Sequence, residues 1–389
     1  MYIFDKYLNR TMNWAYRIIE HTPGIKPIVT APLIVKNEFY SQNIEFLFSP
    51  YQWGTAADEW DFSPLQVVVS KATVKIPFLY KRFLKKKIRE LKPDLIHIHY
   101  GTTAWEYSAL AQEMNIPLIA TFHGYDYRLV LHKKPVFKTR YRDLFARAAA
   151  VTCGGQEARK YLISIGSFAE KTYRIPMAIE TEKILLPVRN KKKGNLNILQ
   201  ISSFTPKKGQ IYTLHAFKEA VKSNKNLKLT FLGEFMNKSV LKEVREFIRK
   251  HDLRRFVTIL ASVPYLRLLE ILPNFDIFIH PSVTTLNHDI ECTPVSIMDA
   301  QCAGLPVIST FHSDIPDIVK HNKTGILLPE KDINGLTKAI LKFAKMEEGE
   351  ISEWRKAARN FMKEEFDISQ VGKKWRLLYE NVSEEGKSR

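Results

Sequence analysis

Residues 291–310, ECTPVSIMDAQCAGLPVIST, carry two carboxylates, Glu291 and Asp299, on either side of a helix start. Thr293 and Pro294 form the start signal. Threonine is a good N-cap, and proline fits the first turn because its missing N–H is not needed there. The pattern predicts a helix over residues 295–303, a C-cap at Gly304, a stop at Pro306 and a short apolar strand over 307–309. The free amides and positive dipole end of such a helix, around residues 294–297, suit phosphate. Carboxylates repel phosphate, so Glu291 and Asp299 are placed to take hydroxyls beside it. A nucleotide-sugar, with phosphates between two polyols, has that layout. An ordinary helix with an exposed acid at each end fits the same residues.

These side chains must be positioned by a chain that alternates strand-like and helix-like segments. Residues 27–35, 95–99, 117–122 and 150–153 read as strands, and 103–114 and 138–149 as helices. The Lys-rich stretch PVRNKKKGN, residues 187–195, reads as a linker. A second series follows, with strands at 196–202, 228–232, 257–260 and 277–280 and helices at 210–223 and 239–251. Alternation of this kind argues for two doubly wound parallel-sheet domains of α/β class. Ligands in such sheets bind beyond the carboxyl ends of the strands. That singles out His99, Tyr100, Gly101, His123, Gly124, Ser203, Gly233 and Ser282. His97 and His99 alternate along one strand, so one of them packs and the other, His99, lies nearer a site.

A chain of 389 residues with 45% hydrophobic content is long enough for two such domains. Cys153, Cys292 and Cys302 have neither metal nor disulfide spacing, which suits a reducing cytosol. The early charges of MYIFDKYLNR leave no signal-peptide apolar core, and no apolar run reaches the ~18 residues of a membrane span. The formal net charge of +18 favours a polyanionic partner. Its densest cluster, KRFLKKKIRELKP at 81–93, has Leu84, Ile88 and Leu91 at helical spacing under a basic face. Lys85, Lys86 and Lys87 are therefore candidates for contact with an anionic membrane surface, or part of a solvated helix packed on a core. A nucleic-acid partner is not expected, since no helix-turn-helix, zinc-finger or RRM-type signature is present.

Several motifs in order resemble a known family. PDLIHIHYG at 93–101, TFHGYD at 121–126, SSFTPKKGQ at 202–210, FDIFIHPS at 275–282, the 291–310 stretch, HSDIPDIV and NKTGILLP together resemble retaining glycosyltransferases of the family-4 type. Within that family the chain is similar to enzymes of bacterial exopolysaccharide and lipopolysaccharide synthesis, including the colanic-acid type. The resemblance implies a GT-B fold, two Rossmann-like domains facing a central cleft. The expected divisions are an acceptor-binding domain at 1–186, a donor-binding domain at 187–365, and a final helix at 366–389 crossing back to the first domain.

By the same resemblance, Lys208 binds the donor pyrophosphate, and Glu291 contacts the donor sugar. Asp299 stands where a glutamate holds the ribose. Ser203, Thr293, Pro294 and Val295 line the donor site, and His123 sits beside the reacting sugar. His99, Gly101 and Asp126 fall on the acceptor side; Asp126 either positions the His123 turn or touches acceptor. The implied reaction moves a sugar from a nucleoside-diphosphate sugar to a hydroxyl of a saccharide or lipid-linked saccharide, with retention. No cofactor and no metal are expected, and no Asp-x-Asp motif is present. The implied location is the cytoplasmic face of the plasma membrane.

Three departures stand out. Asp299 is one methylene short of the family's glutamate. Ser203 replaces an arginine, a loss for which Lys207 is a candidate compensation. The glycine-rich first loop is replaced by MNWAYRIIEHTPG. A non-catalytic nucleotide-sugar-binding or membrane scaffold subunit, or a sugar-nucleotide epimerase of the same architecture, are the alternatives.

Overall fold

The computed structural model describes residues 1–8, 12–48, 55–56, 77–186 and 191–387. Its packing divides the chain into two units, Met1–Ala178 with Ile368–Arg389, and Ile179–Asp367. The division after Ala178 precedes the boundary expected after residue 186, and the final helix belongs to the first unit.

The first unit is built on strands β1 (Tyr2–Ile3), β2 (Lys6–Tyr7), β3 (Ile28–Thr30), β4 (Leu33–Val35), β5 (Glu45–Phe46), β6 (Thr55–Ala56), β7 (Ile96–His99), β8 (Leu118–Phe122), β9 (Ala150–Cys153) and β10 (Thr172–Arg174). Seven of them form a parallel sheet in the order β10-β9-β8-β7-β1-β3-β5, and β2-β4-β6 form a small second sheet. Every residue of β7, β8 and β9 is buried, as expected of parallel strands covered on both faces. The single strand expected over 27–35 is two strands in different sheets. Pro32 lies between them and has no N–H for a ladder, so the chain leaves one sheet and enters the other there.

The helix Gly101–Glu113 starts directly after β7. A Cβ on Gly101 would lie 2.1 Å from the Phe122 ring, so only glycine lets the helix begin this close to β8. The segment replacing the glycine-rich first loop contributes the helix Asn13–His21. The basic helix spans Pro77–Leu91, with Leu84 and Ile88 buried beneath it. The final helix, Ile368–Lys387, buries Val371, Trp375, Leu378, Tyr379 and Val382, a single stripe at helical spacing, in one core with Tyr2, Trp14 and Ile18. Tyr379 Oη lies 2.9 Å from Tyr2 Oη and 2.8 Å from His97 Nδ1, and His97 Nε2 lies 2.6 Å from Thr121 Oγ1. His97 is thus committed to holding the final helix and β8 to the sheet.

The second unit has six strands, β11 (Leu196–Ile201), β12 (Leu227–Gly233), β13 (Val257–Ala261), β14 (Ile277–His280), β15 (Val307–Thr310) and β16 (Gly325–Leu328), all parallel in the order β13-β12-β11-β14-β15-β16. The expected linker is only partly within the described residues: 187–190 lie outside them. The remainder is docked on this unit, with Lys191 buried and its ammonium donating to the carbonyls of Ala344 at 3.1 Å and Met346 at 2.6 Å.

Among the described residues Trp375 is the largest fully buried side chain. Trp375→Ala is expected to destabilise the first unit by about 3–5 kcal/mol through lost contacts and the cavity left behind. Thermal unfolding of the purified protein checks this, with a lower melting temperature as the expected outcome.

Candidate active site

At the carboxyl end of β8, His123 is a half-buried residue. His99, at the end of β7, is buried behind it, and His99 Nδ1 lies 3.1 Å from His123 Nε2. The Trp14 and Tyr100 rings flank His123 at centroid distances of 4.3 and 4.8 Å. Trp14 comes from the segment that replaces the first loop, a contribution the sequence motifs did not single out. Burial pushes His123 down to about 3 and His99 well below the usual imidazole range, so both rings are neutral at physiological pH.

Asp126 is fully buried and holds the backbone on both sides of the histidines. Its Oδ1 accepts from the His123 amide at 3.0 Å and its Oδ2 from the Gly101 amide at 2.8 Å. Burial pushes the carboxyl up to about 6 against the pull of those amides. Of the two roles open to Asp126, the geometry is that of positioning the His123 turn. Nearby, Asp5, Thr103, Trp105, Glu106, Arg140 and Arg147 line a cavity of about 500 Å³. Its carboxylates, hydroxyl and guanidinium groups are the types that bind sugar hydroxyls.

In the second unit, Lys208 closes a short turn, Pro206–Lys208, that follows β11. Its carbonyl accepts from Gln200 Nε2 at 2.8 Å, and the next residue, Gly209, has φ +70. A Cβ there would lie 2.0 Å from the Pro281 carbonyl oxygen, so the loop's approach to the end of β14 requires glycine. The Lys208 ammonium forms an ion pair with the Glu291 carboxylate, with both side chains about 15% exposed (14% and 16%). Burial pushes the Glu291 carboxyl up, but the ammonium charges of Lys208 and Lys207 outweigh it and hold it at about 2.

Buried polar side chains follow the same strand ends that carry Lys208 and precede Glu291. His280 is fully buried at the end of β14 beside Lys208, and burial pushes it down to about 3. Ser282 Oγ, two residues after His280, and Thr205 Oγ1 and Gln210 Oε1, on either side of Lys208 in the chain, are buried without a hydrogen bond. Native interiors seldom leave such groups unsatisfied, and a cluster of them marks a place where a ligand supplies the missing bonds. His280 was not singled out from the sequence, because a histidine inside an apolar strand gives no local signal.

The helix after Glu291 spans Val295–Cys302. Its N-cap is Pro294, with extended backbone and no side-chain cap, rather than Thr293, which is buried one residue earlier. Proline at the N-cap has no side-chain oxygen, so the first amides, at Val295 and Ser296, are left uncapped by any side chain. Asp299 is 3% exposed and accepts from the Tyr265 hydroxyl at 3.0 Å. Lys207, the candidate compensation for Ser203, is engaged within this unit. Its ammonium is taken by Asp289 Oδ1 and the Ile290 carbonyl, both at 3.0 Å. Ser203 enters through its carbonyl, which accepts from Gln210 Nε2 at 2.9 Å.

Known proteins resemble this chain in sequence and in fold. The family model Glycosyltransferase Family 4 matches residues 47–183, and Glycosyl transferases group 1 matches 182–361. The chain belongs to these glycosyltransferases, and its two parallel-sheet α/β units are those of the GT-B fold. It is 30% identical to the amylovoran biosynthesis glycosyltransferase AmsK of Erwinia amylovora over 261 residues, 65% of this chain and 62% of AmsK. The matched part thus spans less than two thirds of that relative. It is 27% identical to the putative colanic acid biosynthesis glycosyltransferase WcaL of Escherichia coli K12 over 71% of this chain and 68% of WcaL. Among solved structures, Anabaena HepE in complex with UDP is similar in fold, with a TM-score of 0.72 at 15% identity over 98% of this chain and 99% of HepE. HepE has also been solved with UDP-glucose, with a TM-score of 0.69 at 15% identity over all of both chains.

Glu291→Gln leaves Lys208 buried without its counter-charge and is expected to lower stability at pH 7 by on the order of 2–3 kcal/mol. The folded carboxyl, at about 2, lies below its ordinary value of 4.5. The wild-type advantage is therefore present above pH 4.5 and disappears as the pH falls through about 2. Urea unfolding of both proteins across that range measures the closing gap.

Proposed function

We propose that the protein is a retaining, metal-independent glycosyltransferase. It moves a sugar from a nucleoside-diphosphate sugar to a hydroxyl of a lipid-linked saccharide, in the synthesis of a bacterial surface polysaccharide. The observation that carries this reading is the buried Lys208–Glu291 pair, with buried polar side chains following the same parallel strand ends. A pyrophosphate gives the Lys208 ammonium a second anionic partner, and the uncapped amides of Val295 and Ser296 receive phosphate oxygens. Glu291 then accepts from the sugar hydroxyls. Asp299, with Tyr265 beside it, takes the ribose. AmsK and WcaL, by their names, belong to exopolysaccharide synthesis, and HepE binds UDP and UDP-glucose, which supports a nucleotide-sugar donor here.

In the reaction the anomeric carbon loses its bond to the leaving phosphate, on which negative charge collects. Lys208 and the helix amides stabilise that charge, and the ammonium supplies the positive charge that a divalent ion supplies in other transferases. His123, neutral, serves as a hydrogen-bonding partner to the donor sugar and not as a general base. The leaving phosphate accepts the proton of the acceptor hydroxyl on the same face. The acceptor saccharide lies along the side of the first unit that carries His123 and the Asp5–Arg147 cavity.

Calorimetry with a panel of nucleotide-sugars tests the reading. One donor is expected to bind, Lys208→Ala to abolish that binding, and kcat/KM of the variant to fall by about 10²–10³-fold. A protein that binds no donor, or a Lys208→Ala variant that binds as well as wild type, overturns it.

The lipid-linked acceptor rests on the charge of +18 and on the basic helix. Among the described residues no helix is long and apolar enough to cross a membrane, so contact would be at a surface. Lys85 and Lys87 are only a third exposed and bonded to Glu113 and Glu90, whereas Lys86 is 75% exposed. The exposed residues of the helix are Phe78, Arg82, Lys86, Arg89 and Glu90, with Glu90 3.8 Å from the Lys86 ammonium, so the outward face is basic on balance. Charge reversal at Arg82, Lys86 and Arg89 is expected to weaken flotation with anionic vesicles at low salt, and unchanged flotation refutes the membrane contact.

A further inference from the structure

We propose that His312 and Glu330 are positioning residues for Glu291: a hydrogen-bonded relay across three strand ends fixes the segment that carries the Glu291 carboxylate to Lys208. This rests on the proposed function for its consequence in donor binding, and on the structure alone for its geometry. The Glu291 amide donates to His312 Nε2 at 2.9 Å. An N–H can only be received by a lone pair, so the His312 proton is on Nδ1, which donates to Glu330 Oε1 at 2.6 Å. Glu330 is held in turn by Thr284, whose hydroxyl donates to Oε1 at 3.0 Å and whose amide donates to Oε2 at 2.9 Å.

Thr284 follows β14, His312 follows β15 and Glu330 follows β16, three neighbours in the sheet. The relay therefore spans adjacent strand ends and terminates on Glu291. From the other direction the Lys207 ammonium holds Asp289 and the Ile290 carbonyl, so three consecutive residues, 289 to 291, are tied down. Burial works to raise the Glu330 carboxyl, but its bonds to His312 and Thr284 hold it below the usual range, as suits an acceptor fixed in its charged form. Nothing in the spacing of residues 291, 312 and 330 announces the relay.

The two amide substitutes for histidine separate positioning from mere filling of space. Glutamine carries its oxygen to about the place of Nε2, whereas asparagine reaches only about as far as Nδ1. His312→Gln is expected to bind donor within a few-fold of wild type. His312→Asn leaves the Glu291 amide unpaired and is expected to bind on the order of tenfold more weakly. UDP-glucose and GDP-mannose, titrated calorimetrically into the full-length proteins, serve as probes. Equal loss in both variants, or greater loss in His312→Gln, overturns the proposal.

Two measurements need no donor. Long-range ¹H–¹⁵N correlation on histidine-labelled protein is expected to give His312 as the Nδ1–H tautomer, assigned by its absence from His312→Gln; the Nε2–H tautomer overturns the proposal. Urea unfolding of His312→Asn, Glu291→Gln and the double variant is expected to be non-additive, and strict additivity overturns it. If wild type binds neither nucleotide-sugar, the donor reading loses its support, while the tautomer and the coupling still decide the positioning.

Discussion

The second unit depends on two opposite charges, Lys208 and Glu291, taken out of water together. Each ion costs several kcal/mol to bury, and their mutual attraction repays this only where geometry and neighbouring hydrogen bonds are good. The surrounding structure is accordingly committed to placing them. Gln200 anchors the Lys208 carbonyl, Gly209 lets the loop meet Pro281, and Lys207 and His312 hold the chain on which Glu291 rides. A pair of this kind adds little to stability compared with apolar packing. It is costly to break, and in the proposed function it keeps an ammonium in a low-dielectric setting where an incoming anion is bound strongly.

The first unit solves a different problem, the exact placement of an uncharged ring. His123 is set by its amide bond to Asp126, by the Trp14 and Tyr100 rings and by His99 behind it. Burial keeps both imidazoles neutral, so the site offers hydrogen bonds without adding charge. In the proposed reaction this division is useful. Under that proposal the cationic Lys208 belongs to the departing phosphate, and the neutral His123 ring offers hydrogen bonds to a sugar.

The two departures in the donor-side motifs differ in what stands beside them. The shorter Asp299 has the Tyr265 hydroxyl against it, a second polar group at the place where reach is lost. The missing cation at Ser203 has no such counterpart in Lys207, which is spent on Asp289 and Ile290. In the proposed function Lys208 and the helix amides therefore carry the pyrophosphate with less help than an arginine would give.

The amino-acid sequence determined what repeats locally. Apolar strands such as 96–99, 118–122 and 277–280, the helix 210–223, and the run from Glu291 to Thr310 are legible because strand and helix periodicity and cap chemistry act over a few residues. Where short-range signals were thin they misled: Pro32 divides a run that looks like one strand, Pro294 rather than Thr293 caps the helix, and β1 is too short to show a period. Lys208, Glu291, His123 and Asp126 could be named from their motifs. Which atoms they face could not. The Lys208–Glu291 pair joins residues 83 positions apart, His280 owes its place to its neighbours in the sheet, and Thr284, Glu330 and His312 meet Glu291 only because β14, β15 and β16 lie side by side. Strand order is decided by packing over the whole unit, and hydrogen bonds between strand ends follow from that order, so only the tertiary structure could decide them.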